Sequence, residues 1–305
     1  MKKLLMTIVA LFALSGCQNN NPTTEPTNEL KVMAWNIWHA GHTEAYGEKG
    51  CEGVLGIIKK SEADVVLMIE TYGASSQVAD HLGFYHRLIS SNLSIYSRYP
   101  IVETYTFADS ISTFNFGGAE IDMNGKRVRV FDTWLHYLPD TRLAPTDKSE
   151  AEILAWENEG SRDDEVKRVL NVLKPYIAES DSIPVIIGGD FNSHSHLDWT
   201  EATKDMYNHG GAVVNWSVSK YMEQAGFKDS FRELNNAPEK NIGATWISPK
   251  AREDRIDYIY YQGGSIDAIK SESYVQDLGE VLNFYGEDFL YTSDHGFVLS
   301  TFVVR

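Results

Sequence analysis

Two polar clusters in this chain stand where apolar runs end. Pro184-Val185-Ile186-Ile187 leads into Gly188-Gly189-Asp190-Phe191-Asn192, and Ser293-Asp294-His295 comes just before Phe297-Val298-Leu299. Carboxylate and amide oxygens are what hard divalent cations prefer, and an imidazole beside them can hold or pass a proton. The clusters are far apart in sequence, yet each sits at the end of a strand-like run. That placement points to one site at the edge of a sheet.

Other strand ends add groups of the same kind. Residues 30–35 end at Asn36, 64–69 at Glu70 and 128–135 at His136, while Ile256 leads directly into Asp257. No clustered thiolates argue for zinc, so the oxygen-rich set suits Mg²⁺ or Mn²⁺. Each residue alone has a plainer explanation. Asn36 could cap a turn, Glu70 could be a helix N-terminal charge, and Asp294-His295 could be a surface pair. Asp257 is harder to dismiss, because a carboxylate inside an apolar strand needs a partner.

Taken in order, Trp35-Asn36, Ile69-Glu70, Leu135-His136, Gly188-Gly189-Asp190-Phe191-Asn192, Arg255-Ile256-Asp257-Tyr258 and Ser293-Asp294-His295 resemble the motifs of the endonuclease/exonuclease/phosphatase superfamily. That group includes deoxyribonucleases, abasic-site endonucleases, neutral sphingomyelinases and inositol polyphosphate 5-phosphatases. The resemblance covers residues 30–305. It implies an α/β fold, a four-layer α/β/β/α sandwich of two mixed sheets, and metal-dependent in-line attack of water on phosphorus. Carried over by residue, Glu70 is the principal Mg²⁺ ligand, with Asn36 and Asp294 beside it. His295 contacts the scissile phosphate or acts as base, oriented by Asp257. Asp190 positions or deprotonates the water, Asn192 holds the phosphate, and His136 resembles a second catalytic histidine. Ser97-Arg98-Tyr99-Pro100-Ile101 matches a recurrent strand-edge segment, which puts Arg98 among the substrate contacts. Trp246 of Thr245-Trp246 faces substrate in the resemblance, or is equally a core aromatic.

The chain departs from the pattern in places. No acidic partner for His136 can be placed, and residues 139–161 have no counterpart in the deoxyribonuclease branch. His39 and His42 form a pair after the first strand. His194 and His196, with Trp199, either line the pocket and contact a phosphate or second ion, or belong to an ordinary polar loop.

These groups need elements to position them. Residues 30–35, 64–69, 93–96, 128–135, 184–187, 256–261 and 297–304 read as strands, several nearly continuous in apolar residues and so buried on both faces. Residues 53–60, 75–82, 165–178 and 218–225 read as helices, with Pro175 expected to kink or end the third. Two polar stretches, 139–161 and 198–215, read as insertions beside the site.

The N-terminus is a targeting signal. Lys2 and Lys3 precede an apolar stretch over 4–14, then Leu14-Ser15-Gly16-Cys17, which resembles a bacterial lipobox; an ordinary secretory peptide is the plainer alternative. This divides the chain into a signal peptide (1–16), a tether (17–29) and a catalytic domain (30–305), anchored by acylated Cys17 to a bacterial membrane on its extracytoplasmic side. Cys51 is then the remaining thiol, so no intramolecular disulfide forms.

The formal charge of −16 argues against non-specific binding to polyanions, which relies on Lys and Arg; the densest basic run, Lys126-Arg127-Val128-Arg129, is short. The candidate substrates are nucleic acid, a phospholipid headgroup or a small metabolite, and no protein partner follows from the sequence. A phosphatase for small metabolites is one alternative function. A non-catalytic binding protein is another, disfavoured because every motif residue is present.

Overall fold

The computed structural model describes residues 28–41, 47–247 and 253–305. Cys17, the signal peptide, most of the tether and His42 lie outside them. The described residues form two six-stranded mixed sheets. One runs in the order Ile266–Tyr274, Phe297–Val304, Glu29–Asn36, Val65–Ile69, Leu93–Ser97, Tyr85–Leu88. The other runs Ile101–Tyr105, Phe116–Met123, Lys126–Trp134, Val185–Asp190, Asp257–Gln262, Lys228–Asp229. Each has one parallel pair at its centre: Glu29–Asn36 with Val65–Ile69, and Lys126–Trp134 with Val185–Asp190.

The continuous apolar strands are buried on both faces, as their composition requires. Leu30, Val32, Ala34, Leu67 and Ile95 of the first sheet meet Ile121, Val130, Ile186 and Ile259 of the second in the central core. The alternate residues Met33, Trp35, Val66 and Met68 pack outward against the Glu48–Ser61 and Ser75–Leu82 helices. On the other side Phe131, Val185, Ile187 and Tyr258 pack against Arg162–Ala178 and Ser217–Gln224. The result is the four-layer α/β/β/α sandwich that the resemblance implied.

Close approach explains the glycine pair of the central motif. A Cβ on Gly188 would lie 2.8 Å from Leu67 Cδ1 across the sandwich, and one on Gly189, at φ 139°, would lie 2.0 Å from the Thr133 carbonyl oxygen. Only glycine lets the sheets and the parallel strand come this near, and that nearness delivers Asp190 to the edge.

The Arg162–Ala178 helix runs on past Pro175, contrary to the expected early end. Pro175 sits in its last turn, where a lost backbone hydrogen bond costs little. Residues 139–161, the first of the two insertions, have secondary structure of their own. They contain Glu150–Glu157, a helix with a Ser149/Glu152 capping box, and they pack on the 198–215 segment through Ile153, Trp199, Val214 and Trp216.

Candidate active site

The ends of both central parallel pairs converge at one edge. Asn36 ends its strand next to Ile69, which places Glu70 beside it. In the facing sheet Asp190 lies between Trp134 on one side and Asp257 on the other. The buried Asn36 joins the two sheets. Its Nδ2 donates to Glu70 Oε1 (3.2 Å) and to Asp190 Oδ2 (3.2 Å). Glu70 (φ 61°) and Asn192 (φ 49°) both adopt left-handed backbone, a strain that persists where surrounding structure enforces it. Asn192 donates from its backbone N (2.9 Å) and its Nδ2 (3.0 Å) to the Asp190 carboxylate, and from Nδ2 to the Leu135 carbonyl (2.9 Å).

His295 is fixed from several directions. Its Nδ1 lies 3.0 Å from Asp257 Oδ2 and its Nε2 3.7 Å from Asp190 Oδ2. Its carbonyl accepts from Trp35 Nε1 (3.3 Å) and from the Tyr291 hydroxyl (2.7 Å), and its N donates to Ser293 Oγ (3.0 Å). Ser293 Oγ in turn donates to the Asn36 carbonyl (2.6 Å). Trp246 packs edge-on against the imidazole at 4.3 Å. Thr245 Oγ1 accepts from the backbone N of Ile256 and of Asp257. The partner that Asp257 required is therefore His295.

Burial of so many acids in one place shifts their proton affinities. Burial and the neighbouring Asp257 push Asp190 up to about 8, against the pull of His295. Burial alone would lower His295, but Asp257, Asp190 and Asp294 outweigh it and raise the imidazole to about 10. Asp294 is raised by burial and by Glu70, with His295 opposing. Asp257 Oδ1 and Asp294 Oδ1 are buried without a hydrogen-bond partner. Asp190, Asp257 and His295 bring ligand atoms within 4.8 Å of one another, but these atoms already pair with each other. The Glu70–Asp294 side, acidic and with an orphaned oxygen, fits a hard divalent cation better.

Not every expected residue joins this group. His136 is half-buried; its ring packs on Trp134 and Tyr137, and it makes no hydrogen bond to the Asp190–His295 group. The nearest acid, Glu165, accepts from its backbone N rather than its imidazole (2.8 Å). Arg98 lies at the opposite end of the sandwich. Its Nε donates to the Ala63 carbonyl and its N to that of Asp64, six residues before Glu70 along a strand and so about 20 Å away. The recurrent segment marks a strand edge and not a substrate contact.

His194 and Trp199 are also displaced from the expected pocket. Both are buried, with the His194 ring 4.9 Å from Trp199 and 4.7 Å from Trp216, so they knit the two insertions together and face no substrate. His196 bonds Ser219 Oγ through Nδ1 (2.8 Å) and lines a separate cavity of about 420 Å³ with Phe227, Arg232 and Tyr260. The basic run is engaged internally. Lys126 holds Asn28 and the Val304 carbonyl, Arg127 holds Glu120, and Arg129 holds Glu120 and Glu179.

One residue was not foreseen. Arg142, from the first insertion, lays its guanidinium 5.3 Å over the Trp246 ring, paired with Asp140 and within the electrostatic reach of Asp294. It lies in a segment without a recognisable motif, so nothing in the sequence marked it.

Residues 33–295 match the model of the endonuclease/exonuclease/phosphatase family, and residues 1–18 match a prokaryotic membrane lipoprotein lipid attachment site. An uncharacterized protein of Caenorhabditis elegans is 27% identical over 281 residues, 85% of this chain and 87% of its own length. Among solved structures, D. rerio TDP2 complexed with single strand DNA product is similar with a TM-score of 0.58 at 17% identity, over 90% of this chain and 98% of that one. The human nocturnin catalytic domain with bound sulfate anion gives 0.56 at 15%, over 92% and 96%. An endonuclease/exonuclease/phosphatase family protein from Bacteroides thetaiotaomicron gives 0.58 at 14%, over 92% and 99%. At these identities the likeness to solved structures concerns the fold.

Proposed function

The chain belongs to the endonuclease/exonuclease/phosphatase family, and on that footing we propose that it is a divalent-metal-dependent phosphodiesterase, exported by its signal peptide and anchored to a membrane by a lipid on Cys17. Phosphoester hydrolysis is the family's chemistry; the diester preference, the metal and the residue roles are proposed for this chain. The observation that carries it is the single edge where Asn36 bridges Glu70 and Asp190 beside the Asp257–His295 pair.

Glu70, with Asn36 and Asp294, would hold Mg²⁺ or Mn²⁺, which when bound supplies positive charge to the phosphate oxygens. Asp190 is placed to orient a water and take its proton, because Asn36 and Asn192 fix its carboxylate from two sides. His295, protonated between Asp257 and Asp190, presents Nε2 as a donor to a phosphoryl oxygen. Asn192 is the second amide at that position, where charge builds during in-line attack. Trp246 shields the imidazole from bulk water, and Arg142 adds a cation at the rim.

A small-metabolite phosphatase is the second reading, favoured by the packed insertions and by Arg142 over Trp246 at the mouth. Comparing hydrolysis of bis-(nitrophenyl) phosphate with that of mono-(nitrophenyl) phosphate separates the two. Faster diester cleavage is expected, and cleavage of the monoester alone would favour the phosphatase. Plasmid nicking and phosphatidylcholine hydrolysis then divide nucleic acid from lipid substrates.

A further inference from the structure

The point where the chain enters the fold sets the direction in which the site faces. Asn28 is pinned at one end of the sandwich: its carbonyl accepts from Val304 N (2.8 Å) and its Oδ1 from Lys126 Nζ (2.9 Å). From there Glu29–Asn36 runs, between Val65–Ile69 and Phe297–Val304, straight to the catalytic edge. Seven residue steps from Glu29 at ~3.3 Å put the start of this strand about 23 Å from Asn36. The Asn124-Gly125 turn, which closes the hairpin between Phe116–Met123 and Lys126–Trp134, lies at the entry end too.

A lipid on Cys17 leaves eleven residue steps before Asn28. However that segment is arranged, it reaches at most ~36–40 Å. To lay the catalytic edge on the bilayer, it would have to start beneath an inner strand and pass two neighbouring strands and their side chains, about 15 Å. It would then climb a further 23 Å or so along the body. That path takes the whole reach and requires a fully extended chain. Charge opposes it as well. Glu70, Asp190, Asp257 and Asp294 gather at the catalytic edge of a chain with a formal charge of −16, and anionic headgroups repel such a surface.

We infer that the protein stands on its membrane by the Asn28 end, with the catalytic edge turned to the aqueous compartment. Its substrates are then phosphoesters that arrive in solution or on a facing surface, and the phospholipids of the leaflet that carries it are out of reach. The inference rests on the lipid anchor and the hydrolase reading given above.

The test uses the full-length lipidated protein in phosphatidylcholine vesicles containing phosphatidylglycerol and a headgroup-labelled acceptor lipid. A donor fluorophore goes on Asn124→Cys at the entry end or on Leu143→Cys, 72% exposed beside Arg142 at the catalytic end; Cys51 is buried and stays unlabelled. Energy transfer is expected to be several-fold stronger from position 124. Lengthening the 17–28 segment by about twenty Gly and Ser residues should erase most of the difference, since the reach then exceeds the height of the body. Equal or stronger transfer from position 143 in the natural-length protein would overturn the inference. So would hydrolysis of the vesicle's own phospholipid at a rate matching that of soluble bis-(nitrophenyl) phosphate. If neither lipidated nor lipid-free protein cleaves the soluble diester, the hydrolase reading fails, and the transfer experiment still decides the orientation.

Discussion

At the residue scale, two amides and one imidazole hold the buried carboxylates of the proposed site in fixed positions. Removing a member of such a set affects turnover more than folding. His295→Ala and Asp190→Asn should each lower kcat on a soluble diester by roughly 10²–10⁴, with far-UV circular dichroism unchanged. Retained activity in either variant would remove the residue from the mechanism. Asn36, Glu70, Asp190, Asp257 and His295 were legible in the sequence because each stands at the end of an apolar strand, and strand ends meet at a sheet edge. Arg98 was misplaced for the complementary reason: a strand has two ends, and its motif marked the other one. His194 and Trp199 read as pocket residues, but the two insertions pack on each other through Ile153, Trp199 and Val214, and His194 is buried against that contact.

At the scale of elements, two buried ionisable side chains lie on or next to the strands that carry the site, and they act in opposite directions. Asp132 lies inside Lys126–Trp134, fully buried, near the backbone of Thr133, Ser94 and Met68 and without a well-formed hydrogen bond. Burial raises its carboxyl well above the ordinary value. An unfolded aspartate loses its proton near pH 4 while this one keeps it, so the folded state loses relative stability as pH rises from there toward the folded value. Asp132→Asn should therefore match the parent near pH 4 and exceed its Tm increasingly toward pH 8; a pH-independent difference would refute that account. Arg255 is wholly buried, with Nη2 2.9 Å from Asp198 Oδ2 and Nη1 2.7 Å from Asp229 Oδ2, and it sits two residues before Asp257. Arg255→Met takes the ion-pair partner from Asp229 and leaves Asp198 with Arg232 alone, and should cost about 3–5 kcal/mol, read as a Tm lower by roughly 6–20 °C in a domain of this size. The continuous apolar strands were visible in sequence. Phe116–Met123 was not, because Gly117 and Gly118 break its pattern; a Cβ at Gly118 would lie 2.3 Å from the Phe131 ring. Ile266–Tyr274 was missed because much of it is half exposed, as its polar residues allow.

At the scale of the whole molecule, an acidic body concentrates still more acid at one edge, and on the proposed reading that edge needs a cation to bind a phosphate. The basic run that might have attracted a polyanion is paired internally; on the proposed reading, positive charge at the mouth comes from His295 and a metal, with Arg142 already paired to Asp140. The four-layer architecture followed from the resemblance, since alternating strands and helices alone fit several α/β folds. The most direct measurement is the rate of bis-(nitrophenyl) phosphate hydrolysis against Mg²⁺ concentration, with EDTA as the zero point, for the parent protein and for Glu70→Gln. Saturable activation by the metal is expected, with loss of activity in EDTA and a Glu70→Gln curve displaced to much higher Mg²⁺ with a lower plateau. Equal hydrolysis in EDTA, or a Glu70→Gln variant that titrates like the parent, would contradict that reading.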